Sequence, residues 1–235
     1  MAMLKDGSYV QDKRLDRLVD FDERSLSFPV RATFGADTRP RSYTWRCSIH
    51  LDQGAEGACV GFSMAHELAG RPVCVPFSET TAKFAREQVY WEAQKIDPWP
   101  GGAYPGASPF YEGTSVLAGM KILHRLGYIG AYRWAFGLND LVLAVGFKGP
   151  AVLGINWYDG MFDVHPCGHV HTTGQVAGGH AILCKGVNVK NRTFTLHNSW
   201  GPEWGNGGDA LISWEEMDRL LREQGEAVIP LIRSK

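Results

Sequence analysis

The sequence predicts an α+β protein, and three observations carry that expectation. The front half holds helical apolar spacing around residues 59–69, 84–93 and 116–126. The back half is a series of short β-rich runs broken by glycine, asparagine or charge. Hydrophobic residues make up 44% of the 235, which is enough to bury one large domain or two closely joined lobes.

Residues 1–43 come first, and they are polar and charge-rich through RLDRLVDFDERS and a Pro/Arg/Gly run to Arg41. They read as a lead-in arm rather than a core segment, running over the surface or across a cleft. From Cys59 onward, Val60, Met64 and Leu68, with Phe62, Ala65 and Ala69, keep apolar positions three or four apart, so a helix is expected. Ser78-Glu79-Thr80 opens a second helix through Phe84, Val89, Tyr90 and Ala93. DPWPGGAYPGASPFYEG is loop by its proline and glycine content. Thr114 or Ser115 caps a third helix, VLAGMKILHRL, which Gly127 ends.

The strands expected next are AVLGINW, HAILCKGVNV, RTFTLHN, DALISW and AVIPLI, interrupted by helical LNDLVLAVGF and WEEMDRLLREQG. This divides the chain into the arm (1–43) and a domain (44–235), with a helical lobe over about 44–127 and a β-rich lobe over about 128–235. Net charge is −1, from 24 basic and 25 acidic residues, which argues against a nucleic-acid or anionic-membrane partner. The start has no signal-peptide apolar run, and no stretch reaches the length of a membrane span. Five cysteines, an odd number without a CxxC pair, fit reduced thiols and a cytoplasmic setting. Oligomeric state has no signature here.

Three local contexts carry chemistry. In Gln53-Gly54-Ala55-Glu56-Gly57-Ala58-Cys59, the cysteine starts a helix, where the positive dipole end lowers a thiol pKa toward the nucleophilic thiolate. The Gln53 amide, with the Cys59 backbone N–H, can form a two-donor oxyanion hole. In Gly178-Gly179-His180-Ala181, a histidine enters an apolar strand with its front cleared, as a general base paired to a thiol requires. In His197-Asn198-Ser199-Trp200-Gly201, Asn198 can accept the far N–H of the imidazole, and Trp200 can cover that bond. Tyr158 and Trp157 are candidates for the cleft wall. His165, Cys167, His169 and His171 alternate as a metal site on a strand would, but Pro166, Gly168 and Thr-Thr-Gly favour an exposed hairpin, so no metal is assigned.

QGAEGAC, GGHAIL and NSWGPEWGNGG together resemble the cysteine, histidine and asparagine blocks of papain-like cysteine peptidases, in that family's chain order. VYWEAQKID and EGTSVLAGMKILHRLGY resemble its bacterial branch, which has phage-encoded relatives. The resemblance covers roughly Tyr43 to the C-terminus. It implies a two-lobed fold, a helical lobe and an antiparallel barrel-like lobe with the active-site cleft between them. It also implies Cys59 as nucleophile, His180 as base and acid, Asn198 as orienter and Gln53 as oxyanion donor. Gly113 falls at the family's peptide-binding backbone edge, and Gly179 and Trp200 border the same site. The activity implied is hydrolysis of peptide or protein substrates without metal or organic cofactor. Two other readings keep these residues: a silent binding or structural protein, for instance virion-associated, and a thiol acyl-transfer enzyme acting on cell-wall peptides.

The sequence departs from the family at Glu56, which stands where relatives keep a disulfide cysteine, and at Val60, which replaces an aromatic. An unpaired anion beside the nucleophile would raise its pKa, so Glu56 is expected to point away or to find a cation. About 43 residues precede the mature-like TWR, too few for the long pro-segment of lysosomal members.

Overall fold

The computed structural model describes residues 1–231. In chain order the elements are β1 (Ala2–Met3), β2 (Tyr9–Val10), β3 (Arg17–Leu18), β4 (Tyr43–Thr44) and α1 (Cys59–Ala69). A π-helical stretch, Phe84–Tyr90, runs into α2 (Trp91–Gln94), followed by β5 (Thr114–Ser115) and α3 (Val116–Arg125). Then come β6 (Ala131–Trp134), α4 (Leu138–Phe147), β7 (Ala151–Tyr158), β8 (Val176–Asn188), β9 (Thr193–His197), β10 (Asp209–Ser213), α5 (Trp214–Arg222) and β11 (Glu226–Leu231). The last position of the AVIPLI run, Ile232, lies outside the described residues.

The helices form close to where the sequence places them, except that Ser78-Glu79-Thr80 is turn and bend and the second helix opens behind Thr81, whose hydroxyl accepts the Phe84 N–H at 3.2 Å. Ser115 caps α3 by accepting the Ala118 N–H at 3.1 Å, and Gly127 ends its last turn at a φ of +79°. Every residue of α1 is buried, so this helix is a central strut rather than an amphipathic surface element. Its close approach to α3 depends on Gly119, because a Cβ there would press into Met64 and Val60. Beside it lies an antiparallel sheet in the order β10-β9-β8-β7-β11-β6, with β4 pairing onto β8. Irregularities between Trp157 and Tyr158 and between Cys184 and Gly186 interrupt the register of β8 with its neighbours, as bulges that bend a sheet do. One core cluster lies under α1, α3 and the π-helical stretch; a second fills the space between the sheet, α4 and α5.

The arm departs from the solvated lead-in its composition suggests. Leu4, Val10, Leu15, Leu18 and Val30 are buried, and Asp16 is fully so. Lys5 forms an ion pair with Asp97 at 2.6 Å with neither side chain exposed, and it also donates to the Gln94 carbonyl. β3 pairs in parallel with β5, Arg17 opposite Thr114 and Leu18 opposite Ser115. Composition hid this because only some of the arm's apolar residues turn inward: Leu4, Val10, Leu15 and Leu18 are buried while Tyr9, Phe21, Leu26 and Phe28 stay exposed. Among the described residues no helix is long and apolar enough to cross a membrane.

Candidate active site

Cys59 opens α1 behind Ala58, whose side chain has no oxygen with which to cap the helix. Ala58 thus offers no side-chain cap to the positive end of the helix at the sulfur. Gln53 is held on both sides: its N–H donates to the Ser199 carbonyl at 2.9 Å, and its Oε1 accepts the Ser199 hydroxyl at 2.7 Å. That grip fixes which end of the amide carries hydrogen. Nε2 donates to the Glu56 carbonyl at 2.8 Å and to the Arg14 carbonyl at 3.3 Å.

His180 sits on β8 opposite Ile155, and Asn198 follows the last residue of β9. His180 Nε2 and Asn198 Oδ1 are 2.8 Å apart, and Oδ1 also accepts the Ser199 N–H at 2.8 Å. An oxygen already accepting from a backbone N–H needs a donor from the imidazole, so Nε2 carries the proton. Nδ1 is then the basic nitrogen, and it is buried without a hydrogen-bond partner. Burial holds the His180 pKa down to about 4, against the opposing pull of Asn198 and the Arg14 backbone, so the ring is neutral. Trp200 covers the ring at 5.0 Å between centroids, and Trp157 meets it edge-on at 4.8 Å.

The structure therefore brings Cys59, His180, Asn198 and Gln53 into one locus. The N–H of Ala181, next to His180, donates to the Cys59 sulfur at 3.2 Å. The thiol itself goes elsewhere: Sγ donates to Asp16 Oδ1 at 2.9 Å, and Cys59 has no exposed surface. This corrects the expected thiolate. Burial beneath the arm, reinforced by the Asp16 charge and hydrogen bond, pushes the thiol pKa well up and outweighs the helix dipole. Burial likewise raises Asp16 to about 7.

Gly113 and Gly179 flank the arm. A Cβ on Gly113 would press on the Asp16 carbonyl and Leu18, and one on Gly179 would clash with the Arg17 carbonyl. Arg14 stacks its guanidinium 4.1 Å over Trp200 while Asp12 holds it at 2.6 Å. The arm from Arg14 to Leu18 thus fills the groove between the two lobes, from Trp200 to Gly113.

Glu56 finds its cation. Arg86, from the π-helical stretch, donates Nε to Glu56 Oε1 at 2.6 Å. The expected cleft-wall aromatics are placed differently. Trp157 is fully buried behind His180, because β7 is covered on both faces, and Tyr158 donates to Glu223 at 2.6 Å. The histidine–cysteine run does not converge: His165 pairs with Cys167, and His171 with Glu216. Among the described residues no group of three or more such side chains could hold a metal ion. All five cysteines are free.

Sequence reasoning missed Asp16, Arg14, Arg17, Arg86 and Ser199 as residues of this locus. Ser199 had a signal, as a hydroxyl next to Asn198; the arm residues had none, since only the tertiary fold brings them to the cysteine.

No family model matches the chain. It is 23% identical to cathepsin B-like CP3 of Giardia intestinalis, over 81% of this chain and 74% of that protein. Among solved structures, it matches xylellain, a cysteine protease from Xylella fastidiosa, with a TM-score of 0.70 at 16% identity, covering 97% of this chain and 99% of that one. Procathepsin L 3 of the Tenebrio molitor larval midgut matches with a TM-score of 0.56 at 18% identity, over 96% and 76% of the respective chains. The likeness to the solved structures is one of fold.

Proposed function

We propose that this papain-like cysteine peptidase cleaves peptide bonds by acyl transfer to Cys59, with His180 as base and acid and Asn198 as its orienter. The observation that carries the reading is the His180–Asn198 bond of 2.8 Å, which leaves Nδ1 as a neutral base beside the sulfur's strand neighbour Ala181. In the reaction, the Cys59 proton passes to His180 Nδ1 as sulfur attacks the substrate carbonyl carbon. The oxyanion takes the Gln53 Nε2–H, now directed at the Arg14 carbonyl, and the Cys59 N–H. His180 gives its proton to the departing amine, then deprotonates the water that opens the thioester and returns the thiol.

Peptides and proteins are the substrates of this reaction, bound extended along Gly113 and Gly179 in the groove that residues 14–18 now fill. Docked there, the arm holds the activity off, and its withdrawal is the step that starts turnover. Free thiols throughout favour a reducing, cytoplasmic setting. The test is an epoxysuccinyl probe applied to the full chain carrying Leu15→Ala, which loosens the arm. Labelling that disappears when Cys59→Ala is added supports the reading; folded, reduced protein that never labels sinks it.

A further inference from the structure

The stretch that delivers Gln53 is not a strand. Residues 45–51 belong to no helix or sheet, yet Ile49 and Leu51 are buried, so the Ile49 carbonyl and the Leu51 N–H need partners that no neighbouring strand supplies. Two histidines supply them. His197 Nε2 lies 2.8 Å from the Ile49 carbonyl oxygen, and His66 Nε2 accepts the Leu51 N–H at 3.0 Å. Immediately beyond, Asp52 bridges to Trp200, and the Leu51 carbonyl accepts the Gly201 N–H at 3.3 Å. The segment therefore lies along residues 197–201 as far as the Ser199 grip on Gln53.

His197 ends β9 with no exposed side-chain surface, and both of its ring nitrogens face oxygens that accept. Nε2 faces the Ile49 carbonyl, while Nδ1 lies 2.6 Å from Asp209 Oδ1, and the other Asp209 oxygen pairs with Lys185 at 2.6 Å. Two acceptors require two N–H donors, so the ring is an imidazolium. Burial opposes that charge, but Asp209 and Cys47 more than offset it and hold the His197 pKa up at about 9, against the repulsion of Lys185. The two other histidines packed on the ring are neutral. His66 on α1, at 4.6 Å between centroids, and His50, at 4.9 Å, both have their pKa pushed down, first by burial and then by the His197 charge.

We infer that His197 is a positioning residue for the peptidase reaction: as an imidazolium it ties the oxyanion segment, through Ile49, to the strand end that carries Asn198. The inference rests on the reading in which Gln53 is the oxyanion donor, and it adds a residue that touches neither substrate nor reacting atoms. Asn198 is fastened to the same unit, because its N–H donates at 2.9 Å to the carbonyl of Gly208, next to Asp209. Loss of the Nε2 proton leaves a lone pair facing the Ile49 carbonyl across 2.8 Å, and that repulsion slackens the segment that sets Gln53. A raised pKa contributes fully below the ordinary 6.5 and is lost as pH rises through about 9. The tie therefore holds at neutral pH and fails on the alkaline side.

The experiment uses the full chain with Leu15→Ala as parent, to free the groove, and adds His197→Leu, Gln53→Ala or both, with kcat measured on the best-cut peptide of a mixed library. His197→Leu is expected to lower kcat roughly tenfold or more with KM little changed. Because it acts through Gln53, adding Gln53→Ala should then cost correspondingly less than it does alone, a coupling that general loss of stability does not produce. Dividing the parent's kcat by that of His197→Leu cancels the ionisations of Cys59 and His180, and the ratio should fall as pH rises through about 9. Asp209→Asn, at a partly exposed side chain, is the second variant should His197→Leu not fold; its kcat should fall away at a lower pH than the parent's.

A readout without turnover is amide exchange. The Leu51 and Gln53 N–H groups should exchange roughly tenfold faster in His197→Leu, while those of α3 keep their rate. Additive effects, a flat pH ratio or unchanged exchange each overturn the inference and leave the peptidase reading standing. Faster exchange with no turnover in the parent supports the tie and counts against the reaction alone. Unchanged exchange together with no turnover overturns both.

Discussion

The Cys59 thiol donates to the Asp16 carboxyl group at 2.9 Å, across 43 positions of sequence. A sulfur engaged in this way cannot be engaged by His180, whose Nδ1 is left without a partner. The one contact therefore separates the two groups that the proposed reaction must join.

Leu15 anchors the turn that delivers Asp16. It is fully buried against the corner at Gly178. Leu15→Ala is expected to weaken arm docking by about 2–4 kcal/mol, which corresponds to roughly 30- to 1,000-fold more of the released form. Iodoacetamide labelling of Cys59 should accelerate accordingly, while exchanging the exposed Phe21 for alanine should leave it almost unchanged.

The docked arm should also respond to pH. Burial raises Asp16 to about 7 from its ordinary 3.8, so the docked arm binds a proton that the released arm does not. A raised pKa contributes stability fully present below the released value and lost as pH rises through the docked one. Arm docking is therefore strongest near pH 4 and weakens up to about pH 7, then levels off. The labelling rate of wild type divided by that of Asp16→Asn, taken at each pH to cancel the thiol's own ionisation, should climb across that window. A flat ratio would refute the coupling.

In a Leu15→Ala background, Gln53→Ala should lower kcat by about 10²–10³, as loss of one oxyanion donor does. The expected signature is a fall in kcat with little change in KM, because the lost contact forms as charge develops on the oxygen. Asn198→Ala frees the imidazole to turn, so a shifted pH–rate profile should accompany its loss of rate.

Glu56 and Arg86 are each about a third exposed, at 32% and 31% of the side chain. Breaking their pair with Arg86→Ala should cost less than about 1 kcal/mol of stability, measured by urea unfolding. Its larger effect should be on chemistry, since it leaves an uncompensated anion three residues before Cys59 and moves the alkaline limb of labelling upward. Glu56→Gln in the same protein should reverse that shift.

What the sequence made legible was local. The Cys59 helix, the strand leaving Gly178-Gly179 and the Asn198 corner each announce themselves within a dozen residues, through apolar period, turn chemistry and donor type. Arg86 answers Glu56 from 30 positions away, and only its necessity was foreseeable. The arm was not legible, because its burial is set by Thr114 opposite Arg17 and by Glu226, 209 residues further on. Trp157 was misassigned to the cleft wall because alternation along β7 cannot reveal that both faces are covered. The thiolate expectation failed for a related reason. A helix dipole is a local property, whereas desolvation depends on what covers the helix end.

The glycine track at Gly113 and Gly179 admits one backbone at a time, and the tethered arm is always present there at a high effective concentration, on the order of millimolar for a short flexible tether. In the proposed reaction, a free peptide must outcompete that tether to be cut. Occlusion of this kind acts as a threshold: weakly bound peptides in the surroundings are ignored, and only those that match the groove better than the chain's own segment gain access.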